Sequence, residues 1–215
     1  MKKTHEIRDP IHDFIKVTAE EREIIDSSPF QRLRYIHQLA LTYLLYPGAS
    51  HKRFEHSLGV LELASKIYDI LTNPENIHSG VKKVMPEITD SKKIKYWRGV
   101  LRAAALCHDL GHIPFSHAAE KELLPEGMTH ESFTLELISE LEPIWERITP
   151  PMRTEDIKKI AVGVEEYSGE SFTNWESILS EIITGDSFGA DRMDYLLRDS
   201  HHIGVSYGTF DHFRL

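Results

Sequence analysis

The apolar positions of the chain divide into a short alternating segment and a long succession of helical stripes. Ile7, Ile11, Phe14, Ile15 and Val17 alternate around Asp9-Pro10, which predicts a short extended lead-in or hairpin over residues 1 to 17. The rest of the chain has helical spacing. Residues 19 to 26 predict a short helix, and Pro29 opens a second through Phe30, Leu33, Ile36 and Leu39, with Pro47-Gly48 as a break. A third covers about Phe54 to Leu71 and stops before Asn73-Pro74. His56, Val60, Leu63, Ala64, Ile67 and Leu71 share one of its faces, so His56 heads an inward stripe. Residues 73 to 95 carry Pro, Asn, Gly and Lys with little periodicity and predict an exposed excursion. A fourth helix is expected from about Tyr96 to Asp109, ended by Gly111, and a fifth from Pro114 to near Pro125. Thr129 is placed to cap a sixth through Phe133, Leu137, Ile138 and Leu141. Further helices are expected at about residues 154 to 167, 175 to 184 and 189 to 199. The expected fold class is all-α.

Length and composition narrow the function more than the fold. A chain of 215 residues reads as one domain, 1–215, able to bury a core without disulfides or a structural metal. No apolar run approaches the roughly 18 residues of a membrane span, and the first residues lead into no signal core, so a cytoplasmic protein with no membrane partner is expected. The single cysteine, Cys107, agrees with a reducing compartment. A formal charge of −9 makes nucleic acid a poor partner, while small anions remain open wherever basic residues converge. The departure from an ordinary composition is 13 histidines, a residue type that ligates metals and carries protons.

The dipeptide His108-Asp109 stands in the last turn of a predicted helix, where unpaired carbonyls favour a cation. His56 on its inward stripe, His112 just after Gly111, and Asp191 at a helix start could surround one ion with it. Two imidazoles and two carboxylates, with water completing an octahedron, suit Fe, Mn, Ni, Co or Zn. The bland alternative is a capped helix end with buried, hydrogen-bonded histidines. Tyr195, Asp199 and His202 share the face of Asp191 and suggest a cleft wall. Asp194 and Arg198 read as a solvated i,i+4 ion pair. His12-Asp13 repeats the dipeptide without comparable context and means little. Arg53, beside His56, could clamp a phosphate.

Several motifs in order carry a resemblance. Phe30-Gln31-Arg32-Leu33-Arg34-Tyr35-Ile36, Gln38-Leu39, Pro47-Gly48-Ala49-Ser50-His51 and Arg53-Phe54-Glu55-His56-Ser57-Leu58-Gly59-Val60 come first. His108-Asp109-Leu110-Gly111-His112, Pro114-Phe115-Ser116-His117, Thr129-His130-Glu131 and Asp191-Arg192-Met193-Asp194-Tyr195 complete the series. Together they resemble the HD-domain phosphohydrolase superfamily. Order and flanks are similar to its deoxynucleoside triphosphate triphosphohydrolase branch, typified by the sterile-alpha-motif-and-HD-domain protein and the bacterial dGTPases.

The resemblance implies an HD-domain helical bundle around one metal, held by His56, His108, Asp109 and Asp191, with magnesium an option beside the nucleotide. It implies that His112 contacts the α-phosphate and that His130 gives a proton to the leaving nucleoside oxygen, supported by His117 and Glu120. Arg53 and Arg192 would hold phosphates, Gln38 and Asp199 the sugar 3′ hydroxyl, Tyr195 the sugar face, and Leu39 the base. Asp26, Gln31 and Arg34 match a guanine-nucleotide activator site. Glu120 stands where the family often has a shorter acid, and Arg192 where its best-known member has lysine. The implied substrates are deoxynucleoside triphosphates, and the implied assembly is a homo-oligomer. An HD nucleotidase or phosphodiesterase, or a silent nucleotide sensor, are the competing readings. The family has further helices after this point, so a chain reaching Leu215 without a stop signal is expected to be a piece of something longer.

Overall fold

The computed structural model describes residues 4–211, without the side chain of His117. Strands β1 (Thr4–Asp9) and β2 (Asp13–Thr18) pair antiparallel with Ile7 opposite Ile15. The alternation thus becomes a hairpin that buries Ile15 and Val17. Its turn is made by the Asp9 carboxylate, which accepts the backbone N–H groups of Ile11 (2.8 Å) and His12 (2.9 Å). Helix α1 (Ala19–Asp26) comes directly after it, started by a capping box between Thr18 and Glu21.

Helix α2 (Ser28–Gln31) is a single turn that passes into a 3-10 turn at Arg32–Tyr35, and the helix expected through Leu39 ends there. Tertiary pairing overrides the spacing. Ile36 is extended, its carbonyl accepts the Arg53 N–H (3.0 Å), and Gln38 N–H reaches the His51 carbonyl (3.1 Å). These bonds replace what a continued helix would have supplied, and they carry Gln38 to the start of α3 (Arg53–Leu71).

Helix α3 is the central element. It is buried at His56, Val60, Leu63 and Ala64 and packs against α5 and α11. Residues 73–90 are mostly exposed, with α4 (Ser79–Val84), a 3-10 turn at Pro86–Thr89, and Ile88 buried as an anchor. Helix α5 (Ser91–Cys107) starts five residues before the expected Tyr96, because the Asp90 side chain accepts the N–H groups of Lys92 and Lys93. It ends at Cys107, leaving His108 as its C-cap and Asp109 in the turn beyond. The fifth predicted helix starts three residues late. Phe115 (φ 71°) and Ser116 (φ 52°) are left-handed, which a right-handed helix does not admit, so α6 spans His117–Leu123.

Helix α7 (His130–Glu140) is capped by Thr129 as expected. Helix α8 (Glu142–Trp145) is one turn, and α9 (Thr154–Glu166) is interrupted at Gly163 (φ 80°). Helices α10 (Asn174–Thr184) and α11 (Ala190–Ile203) complete the bundle, α11 ending in left-handed Gly204 (φ 78°). The fold is all-α apart from the hairpin.

Candidate metal centre

Three helix ends meet at one point. The first turn of α3 supplies Arg53 and His56, the end of α5 and its turn supply His108, Asp109 and His112, and the first turn of α11 supplies Asp191. His56, His108 and Asp191 each offer an atom within 4.8 Å of the others. His56 Nε2 lies 3.0 Å from Asp191 Oδ1 and 3.8 Å from Asp109 Oδ2, and His108 Nε2 lies 3.5 Å from Asp109 Oδ1. His108 Nδ1 faces the Ala105 carbonyl at 2.8 Å, which directs Nε2 inward. That Nε2 is buried and, among the described residues, has no hydrogen-bond partner. A buried orphan of this kind, facing two carboxylates, fits a bound cation. The two acids would neutralise a dication.

The electrostatics agree with the geometry. Burial disfavours the charge of His56, but Asp191 and Asp194 outweigh it and raise its pKa to about 10. His108 is raised in the same way by Asp109 and Asp191 against burial. Burial opposes ionisation of Asp109 as well, yet Arg53 and the three imidazoles hold it well below the carboxylate range. Asp191 is lowered against burial by His108 and His56. The centre is a concentrated arrangement of opposed charges.

Beside it His112 stacks on His130, with ring centroids 4.0 Å apart, and His112 Nε2 lies 3.4 Å from Asp109 Oδ1. His130 is held between Glu120, 3.1 Å from Nδ1, and Glu131, 3.0 Å from Nε2. Burial favours neutral His130, but the two glutamates, Glu131 first, raise its pKa overall. A cavity of about 460 Å³ opens onto both clusters and is lined by Gln38, Arg53, Asp191 and Tyr195 among others. Part of its lining, from α9, α10 and the turn after α10, is acidic, with Glu165, Glu166, Glu181 and Asp186.

Not every expected residue lies here. Leu39, Arg192 and Asp199 are outside the cavity lining. Arg192 is exposed, and Asp199 is buried against His51 Nε2 (2.7 Å), whose ring stacks on His202. Arg53 is buried and donates to Asp109 and to Ser116 Oγ (2.8 Å). Glu120 is near His130, and His117 opens α6 with its side chain outside the described residues. Asp26 and Arg34 line a separate cavity of about 1040 Å³, with Arg34 over the Phe54 ring at 3.5 Å and bonded to Gln31 Oε1 (2.8 Å).

One sequence reading is overturned, and one residue was passed over. Asp194 and Arg198 are no solvated pair: both side chains are 0 % exposed, joined through Nε at 2.8 Å and Nη2 at 2.9 Å. His12, whose dipeptide carried no weight in the sequence, is buried and places Nε2 2.7 Å from Asp194 Oδ1. The signal was Asp194 three residues after Asp191, where two like charges on one helix face call for cations between them.

The HD domain family model matches residues 53–196. An uncharacterised protein of Methanocaldococcus jannaschii is 41% identical over 205 residues, covering 95% of this chain and 35% of its own length. The uncharacterised protein YwfO of Bacillus subtilis is 38% identical over 208 residues, covering 95% and 41%. The deoxynucleoside triphosphate triphosphohydrolase SAMHD1 of Homo sapiens is 37% identical over 233 residues, covering 97% and 34%. A solved structure of a hypothetical protein from Aquifex aeolicus superposes with a TM-score of 0.70 at 39% identity, over 99% of this chain and 50% of that one. This chain therefore spans half or less of these relatives. No helix among the described residues is long and apolar enough to cross a membrane.

Proposed function

Since the chain belongs to the HD domain family, we propose that it carries the catalytic core of a metal-dependent phosphohydrolase that splits deoxynucleoside triphosphates into deoxynucleoside and triphosphate. The observation that carries this reading is that His108, Asp109 and Asp191, with His56 beside them, and His130 between two glutamates adjoin one cavity. Those four residues hold the ion, one of Fe, Mn, Ni, Co or Zn. When bound, it acidifies water and polarises an α-phosphate oxygen.

The remaining work belongs to side chains. His112, stacked on His130, faces the α-phosphate. His130, whose charged form the glutamates favour, delivers a proton to the departing 5′ oxygen, a contribution of order 10²–10⁴-fold. Gln38 and Tyr195 line the same cavity and hold the sugar, and Arg53 anchors both Asp109 and the phosphate side. The acidic wall cannot itself hold a polyanion, so the phosphates lie towards Arg53, with magnesium beside the nucleotide. The cavity at Asp26 and Arg34 takes a guanine-nucleotide activator, and the full-length protein works as a homo-oligomer.

Incubating the metal-loaded protein with each dNTP, with and without GTP, and identifying the products tests the reading. Deoxynucleoside with intact triphosphate is expected. Release of orthophosphate or of a monophosphate would move the chain to another HD nucleotide hydrolase, and binding without turnover would make it a sensor.

A further inference from the structure

Asp194 is the best satisfied carboxylate of the site, although no candidate role had fallen to it. Its Oδ2 accepts from His56 Nδ1 (2.8 Å) and Arg198 Nε (2.8 Å), and its Oδ1 from His12 Nε2 (2.7 Å) and Arg198 Nη2 (2.9 Å). A carboxylate has about four lone-pair sites, and here each faces an N–H donor. Asp194 therefore has no capacity left for an ion. Arg198 is itself fixed from behind by Asp9 (2.9 Å), the residue whose other oxygen builds the hairpin turn. The hairpin, whose His12 stands 182 residues before Asp194, thus reaches the edge of the metal centre.

We propose that Asp194 and His12 are positioning residues of the metal centre: Asp194 fixes the ring of His56 with Nδ1 as donor and Nε2 turned to the ion, and His12 fixes Asp194. The inference rests on the metal-centre reading. An imidazole has two nitrogens, and when an ion takes the lone pair of Nε2 the one remaining proton sits on Nδ1, where Asp194 is an acceptor-only partner for it. Arg198 neutralises Asp194 without touching His56, so the carboxylate stays in place whether or not an ion is present. His12 closes the last site on Oδ1 and stops the carboxylate from turning about its own bond.

Gly59 is independent support for the fixed position. A Cβ at Gly59 would lie 1.8 Å from Asp194 Oδ1 and 2.5 Å from Arg198 Nη2. Glycine weakens a helix interior relative to alanine, and here it makes room for this carboxylate and its partner against α3.

Mn²⁺ titration of wild type, His12→Ala and His12→Gln, with free Mn²⁺ read by electron paramagnetic resonance, tests the proposal without an activity assay. His12→Ala should weaken Mn²⁺ binding by about 10-fold, the lower end of the effect of losing a direct partner of a ligand, because His12 acts through Asp194. His12→Gln, whose amide can donate from a similar distance, should recover most of it. Unchanged affinity in His12→Ala overturns the proposal, and so does equal loss in both variants, which would mean that only packing mattered. Wild type that takes up no Mn²⁺ would instead overturn the metal centre on which the proposal stands. Should His12→Ala fail to unfold cooperatively, the long-range ¹H–¹⁵N spectrum of Zn²⁺-loaded wild type decides. A proton on Nδ1 of His56 supports the assignment, and a proton on Nε2 overturns it.

Discussion

Two buried charge networks touch α3, one near His56 and one further along at Ser65, and they differ in what is left over. Around Ser65, Arg102 donates to both oxygens of Glu21, to Ser65 Oγ (2.5 Å) and to the Lys16 carbonyl (2.8 Å). Every nitrogen of the guanidinium has an acceptor, and the network ties the hairpin and α1 to the helices. Around His56 the outer ring is closed in the same manner, through Asp194, Arg198 and Asp9. Its inner side is not. Among the described residues His108 Nε2 is buried without a hydrogen-bond partner, and the oxygens of Asp109 and Asp191 face it and His56 Nε2. Burial and charge are common to both. A set of donor atoms pointing at a shared space is what separates a binding centre from a structural tie.

The sharpest way to break that contrast is to remove one member from each. Asp191→Ala should take the chain from one ion to none by elemental analysis after dialysis, whereas folded Arg102→Met should keep its ion. Equal metal loss in both would erase the distinction. Next in size is His130→Ala, which should retain the ion and lose turnover by about 10²–10⁴-fold, as expected for a missing general acid. Loss of metal in that variant would place His130 among the ligands. Arg102→Met leaves Glu21 as a buried, unpaired charge and should lower unfolding free energy by about 3–5 kcal/mol in urea titrations. A stability close to wild type would show that the closed network is dispensable.

The sequence spoke clearly about one side of the contrast only. The convergence of His56, His108, Asp109 and Asp191 was legible because each sits at a helix end or on an inward stripe, where local pattern and chemistry coincide. The start of α5 was missed through a local cap, Asp90, and two other boundaries failed through partners distant in sequence. Ile36 left its helix to bond Arg53, and Ser116, which with Phe115 has positive φ, accepts from Arg53. Asp194 and Arg198 at i,i+4 have the same pattern whether solvated or buried, and Gly59 and His56 on another helix, with Asp9 and His12 on the hairpin, make them an interior pair. The glycine in the middle of α3 was, beside the Asp191 and Asp194 spacing, a local sign that something approached there.

The smallest expected effect concerns how the two glutamates share His130. Glu131 lies 3.0 Å from Nε2 and Glu120 3.1 Å from Nδ1, and together they keep the imidazole charged at higher pH than is usual, against the opposing effect of burial. Glu131 is itself lowered to about 2: burial opposes its ionisation, and its hydrogen bond with His130 leads the opposing effects. If His130 supplies the proton to the leaving oxygen, kcat/KM must fall as pH rises through its raised pKa. Glu131→Gln keeps an acceptor but removes the larger of the two charge contributions, so that limb should move to lower pH, and by more than in Glu120→Gln. Stability carries the same sign. A raised imidazole pKa stabilises the fold fully below the ordinary value of 6.5 and loses that contribution as pH climbs through the raised one. Glu131→Gln should therefore lose less stability than wild type across that alkaline window, measured by urea unfolding at a series of pH values. A limb that stays put in both variants would mean that the proton leaves from another group.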